Sequence, residues 1–114
     1  MKPIRIQRKR TKGWKMPPNT VYVGRGSKWG NRFRVVNEDN ANLWIEDTST
    51  KQLVHLLNDD EDPQFAPVKF FRERQLDGLP NLKELRGKNL ACWCPLDQPC
   101  HADVLLEIAN QDDA

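Results

Sequence analysis

The sequence has no run of about 18 apolar residues, so no membrane-spanning helix is expected. The basic opening MKPIRIQRKRTKGWK has no apolar stretch behind it and does not read as a secretory signal. Cysteine is sparse and odd in number: three residues, with no export signal, predict a cytoplasmic chain whose thiols stay reduced. Cys92 and Cys94 alternate along one segment and are poorly placed for a disulfide with each other. Repeats and low-complexity stretches are also missing. Four Trp, four Phe and many Leu and Val suffice for a core, so residues 1–114 are expected to form a single domain. Two loops are expected within it, basic at 7–19 and acidic at 58–66.

Acidic residues are absent from positions 1–34, which hold eleven Lys and Arg. Residues 35–114 hold seven basic residues against sixteen acidic ones, so a +11 segment precedes a −9 segment. Such asymmetry predicts an anionic partner for the first third, a nucleotide or nucleic acid. A solvated basic face that complements the acidic remainder is the plainer alternative.

Ile4 and Ile6 alternate with Arg5 and Gln7 and predict a short strand. Thr20–Val23 is a β segment closed by Gly24, and Arg32–Val36 is another, closed by the polar cluster 37–40. Ser49 and Gln52 make a capping-box pattern before Leu53, Leu56 and Leu57, which predicts a helix broken by residues 58–63. Pro67 opens a second helix through Phe70, Phe71 and Leu76, with Gly78 past its end. Residues 80–86 predict one more short helix. Lys88–Cys94 reads as a strand, and Pro99 opens a last helix with Val104, Leu105 and Ile108 on its apolar face. Segments 41–47 and 58–66 carry no clear pattern. The expected fold class is α+β: a small mixed β-sheet, helices packed mainly on one face, and a C-terminal strand–loop–helix unit.

The stretch ACWCPLDQPCHAD, residues 91–103, holds all three cysteines and His101. Cys92, Cys94, Cys100 and His101 match the ligand count of a tetrahedral zinc site. Against it, adjacent residues of a first helical turn point about 100° apart, so Cys100 and His101 would not meet at one ion. Cys100 as nucleophile, His101 as acid or base and Asp103 as supporting carboxylate form a second arrangement, with the thiol favoured as thiolate by the helix start. Packing of the sulfurs as small hydrophobes is a third. A pocket wall suited to an anion combines with any of them.

In YVGRGSKWGNRF, residues 22–33, three glycines alternate with charge and a tryptophan. The spacing fails both the dinucleotide fingerprint and the Walker loop. A phosphate cradle of another kind fits: Arg25 and Lys28 for charge, Ser27 and Asn31 for hydrogen bonds, Trp29 and Trp14 as stacking surfaces. An ordinary glycine-rich turn with Trp29 capping the core is the alternative.

Together, GRGSKWGN-x-F and GK-x2-ACWCP-x4-CHAD resemble an uncharacterised family of small phage and bacterial proteins, a domain of unknown function. The resemblance runs from about Ile4 to Ile108. Family members usually carry proline where Arg32 stands and often glycine where Ala102 stands. The resemblance implies a phage-associated origin but no activity. Three functions are therefore expected as alternatives. The first is binding of a nucleotide or nucleic acid between the GRGSKWGN loop and the CWC–loop–CH corner. The second is an enzyme acting on a nucleotide or nucleoside through Cys100 and His101, and the third is a phage protein that binds and inhibits a host protein. Zinc is the one cofactor the residues suggest.

Overall fold

The computed structural model describes residues 2–37 and 41–111. Positions 38–40, part of the polar cluster expected to close the third strand, lie outside the described residues.

Branched and aromatic residues, Ile6, Thr20, Val21, Tyr22, Phe33, Val35 and Val36, favour the first three strands. β1 (Arg5–Gln7) and β2 (Thr20–Tyr22) flank β6 (Asn89–Cys92), and all pairing is parallel, in the order β1-β6-β2. A central parallel strand is covered on both faces, and Leu90, Ala91 and Cys92 are accordingly buried. β3 (Phe33–Val36), β4 (Trp44–Asp47) and β5 (Gln52–Leu56) make a second, antiparallel sheet in chain order. The class is α+β as expected, with the strands divided between two sheets of three.

The helix expected from Ser49 is instead a tight turn and a strand. The buried Asp47 carboxylate accepts hydrogen bonds from Ser49 N–H at 3.0 Å and Ser49 O–H at 2.6 Å. Lys51 then takes a left-handed conformation, φ 62°, and its N–H donates to Asp47 O, reversing the chain. The i, i+3, i+4 leucines that suggested a helix are reconciled with a strand by a bulge opposite Ile45 and Glu46. Leu53 and Leu56 remain 40% and 45% exposed. The unassigned segment 41–47 supplies β4.

α1 (Ala66–Phe70) links the two cores. Ala66 and Phe70 pack with Phe33 and Ile45, while Val68 and the following Phe71 pack with Leu85, Leu90 and Leu105. Beyond Phe70 the chain makes one wider π-type turn, Phe71–Gln75, closed by Leu76 N–H donating to Phe71 O. That turn directs Gln75 inward, where it serves the candidate site. α2 (His101–Ala109) lays Ala102, Val104, Leu105 and Ala109 against the parallel sheet. Burying Leu105 and Leu90 fully contributes roughly 2 kcal/mol each. No helix among the described residues is long and apolar enough to cross a membrane.

Candidate functional site

β6 ends inside the cysteine segment. Cys92 is 1% exposed, whereas Trp93 stands 38% exposed on the other face. The loop between Cys94 and Cys100 is drawn inward by one side chain from β1. Arg5 Nη2 lies 2.8 Å from the carbonyls of Leu96 and Gln98 and 3.0 Å from that of Pro95; Nη1 pairs with Asp103 at 3.1 Å. The guanidinium thus ties the loop to the start of α2.

α2 starts at His101, two residues later than expected from Pro99. Cys100 is its N-cap, with extended backbone at φ −149° and ψ 148°. The divergence expected of two helical neighbours therefore does not arise, and both side chains are buried. The sulfurs of Cys92, Cys94 and Cys100 all lie within 4.8 Å of one another, and all three thiols are free. Cys92 Sγ is 3.2 Å from Cys100 Sγ. His101 Nε2 is 2.7 Å from Val23 O. A carbonyl only accepts, so Nε2 carries the proton and the Nδ1 lone pair faces Cys100 Sγ at 3.5 Å. Phe71 packs edge-on against the imidazole, with ring centroids 5.2 Å apart.

Burial holds the His101 pKa below its ordinary value, so the ring is neutral at pH 7. Hydrogen bonds from Cys100 and then Cys92 pull the Cys94 thiol far below its usual range, against the opposing effect of burial; nearby Arg5 adds to the lowering. Cys100 is pushed up by its two cysteine neighbours and by burial. Cys94 is the least buried of the three cysteines.

A cavity of about 360 Å³ opens over this corner. Gly24, Arg25 and Asn31 line one side, Cys94, Cys100 and His101 the other, and β3 contributes Phe33 and Arg34. A neighbouring cleft of about 450 Å³ continues over Ser27, Arg32 and Lys51. Arg25, Asn31 and Arg34 line both.

The glycine loop owes its shape to the fold. At Gly30 a Cβ would meet Gly24 O at 2.7 Å, and Gly26 sits at φ 93°. Gln75 clamps the loop from α1's extension, donating from Nε2 to Gly30 O at 2.7 Å and accepting from Arg32 N–H at 3.0 Å. Asn31 donates to Pro67 O and accepts from Phe33 N–H, so its amide is spent on structure. Ser27 donates to Gly24 O at 2.7 Å.

Several expected contacts are corrected. Trp29 is 6% exposed and donates from Nε1 to Pro80 O at 3.1 Å, which leaves no open face for a base. Lys28 lies over the Trp29 ring and pairs with Glu84 at 3.0 Å, away from the cavity. Trp14 is half-buried and lines neither cleft. Asp103 faces Arg5, not His101, so the Cys100–His101–Asp103 arrangement is not assembled as a triad.

Trp93, which the sequence did not mark as a site residue, gathers two arginines of the basic segment expected to meet an anion. Arg8 lies 4.9 Å from the Tyr22 ring centroid and 4.8 Å from that of Trp93, and Arg10 lies 4.9 Å from the Trp93 ring. Trp93 also lines the cavity. The available signal was its outward position between Cys92 and Cys94, beside a basic segment that β1 brings alongside β6. Residues 6–111 match the family model described as Domain of unknown function (DUF4326), and the chain belongs to that family. No curated protein and no solved structure matches the chain.

Proposed function

We propose that this member of a domain-of-unknown-function family binds a phosphate-bearing ligand, a nucleotide or a nucleic-acid strand. The binding site is the cavity between the 24–31 loop and the Cys92–His101 corner. The observation that carries the reading is the basic-aromatic rim: Arg8 and Arg10 on an exposed Trp93, opening onto a cavity whose opposite wall carries Arg25. Guanidinium groups supply charge for phosphate, and the indole, 38% exposed, supplies a stacking surface for a base once a guanidinium above it turns to the phosphate. Arg25 is exposed and contacts Asn31 O at 3.3 Å, a long hydrogen bond that a phosphate oxygen outcompetes. Arg34 is paired with Glu46 at 2.7 Å and serves as a secondary contact.

Titration with single-stranded oligonucleotides and with free nucleotides, each at two salt concentrations, tests the proposal. Strand binding gives an affinity that falls steeply with salt, by a logarithmic slope of about 0.7 per phosphate contact. A small nucleotide gives a shallow slope. Absence of binding to either at low salt rejects the function.

A further inference from the structure

We propose that Cys92, Cys94, Cys100 and His101 form a tetrahedral Zn²⁺ site that locks the strand–loop–helix corner. This goes beyond ligand binding in the cavity and stands on separate observations. The first is convergence: three sulfurs from β6, its C-terminal extension and the cap of α2 lie within 4.8 Å of one another. Thiolates on a common Zn²⁺ stand about 3.8 Å apart, given Zn–S bonds of about 2.3 Å. Cys92 and Cys100, at 3.2 Å, need to open by about 0.6 Å.

The second observation is the imidazole. A metal-binding histidine characteristically donates its other ring N–H to a carbonyl or carboxylate, which fixes tautomer and orientation. His101 does so through Nε2 to Val23 O, with Phe71 against the ring. Its Nδ1 lone pair is 3.5 Å from Cys100 Sγ, close to the roughly 3.6 Å expected between nitrogen and sulfur ligands of one zinc. The third is the loop itself. Arg5 holds residues 95–98 through three carbonyls, which fixes the approach of Cys94 to Cys100.

Binding displaces three thiol protons to solvent and forms three Zn–S bonds and one Zn–N bond. Three thiolates and a divalent ion leave the site at −1, facing the Arg5 guanidinium. Soft sulfur donors favour Zn²⁺ over Mg²⁺ or Ca²⁺. No electron transfer is involved.

The test is elemental analysis of the full chain purified under reducing conditions with zinc supplied, followed by Co²⁺ replacement. The expected result is one equivalent of zinc per chain, and a tetrahedral Co²⁺ spectrum with sulfur-to-metal charge transfer. Cys94→Ser, at the half-exposed position, lowers that charge-transfer intensity by about a third. His101→Asn weakens metal affinity by more than about tenfold. Circular dichroism identifies any variant that fails to fold, and the wild-type metal content and spectrum then decide alone. A folded wild-type chain that takes up neither ion overturns the proposal, as does a Cys92–Cys100 disulfide persisting in reducing buffer. An unchanged Co²⁺ spectrum in a folded His101→Asn variant removes the histidine from the site. Oligonucleotide binding is measured separately, so either proposal fails without the other.

Discussion

Arg5 and Trp29 show how far a side chain's role departs from its type. Both sit in a basic, glycine-rich third of the chain that suggests ligand contacts, yet both are committed to the fold. Arg5→Ala leaves the carbonyls of Pro95, Leu96 and Gln98 without their donor and costs about 3 kcal/mol, measurable as a lower urea midpoint. Trp29→Phe removes the hydrogen bond to Pro80 O and costs about 1 kcal/mol while leaving oligonucleotide affinity unchanged. Weakened binding by a Trp29→Phe protein of wild-type stability contradicts the assignment of Trp93 as the stacking residue. The sequence made the cysteine segment conspicuous but not its geometry. Convergence of Cys100 and His101 depends on Cys100 being an extended cap, and the two-residue difference in helix start decides it. Gln75 carried no signal, because its inward orientation comes from the π-type turn.

Among the elements, the β4–β5 hairpin is where pattern and structure part. Leu53, Leu56 and Leu57 fit a helical face, but the Asp47–Lys51 turn and the bulge at Ile45 and Glu46 impose pairing with β4. Tertiary pairing overrides local spacing here, as short apolar runs allow. Burial raises the Asp47 pKa, but the side-chain and backbone hydrogen bonds from Ser49, with Arg32 nearby, outweigh it and leave the folded value lowered. The unfolded chain thus binds a proton at higher pH than the folded one. The carboxylate's stabilisation is present above the unfolded pKa of about 3.9 and is lost as pH falls through the folded value. Asp47→Asn costs about 1 kcal/mol near neutral pH. Its stability falls less steeply than wild type between about pH 4 and the folded pKa, as denaturant titrations at several pH values will record. β1, β2, β3, β6 and α2 were legible because a short run of branched, aromatic or apolar residues, or a single apolar helical face, survives in each. β4 was not, since two apolar residues, Trp44 and Ile45, precede two acidic ones, Glu46 and Asp47, while the strand turns Ile45 and Asp47 inward.

For the molecule as a whole, the sign change in charge along the chain becomes a spatial arrangement. Parallel pairing of β1 with β6 carries the basic segment to Trp93, although 85 residues separate Arg8 from it in sequence. Sequence alone exposed both halves of the cavity, the GRGSKWGN loop and the CWC–CH corner. It did not show that α1 bridges them, because Val68 and Phe70 face different cores only once two sheets exist. Arg25→Ala, on the open side of the cavity, lowers strand affinity and reduces the logarithmic salt slope by about 0.7 without loss of stability. The most direct test of the binding site is the affinity of Trp93→Ala for a fluorescent single-stranded oligonucleotide at low salt, compared with wild type. The predicted result is measurable wild-type binding that Trp93→Ala weakens by about tenfold or more, in line with the loss of one stacked base. Equal affinity of the two proteins, or no binding by wild type, contradicts the site assigned here.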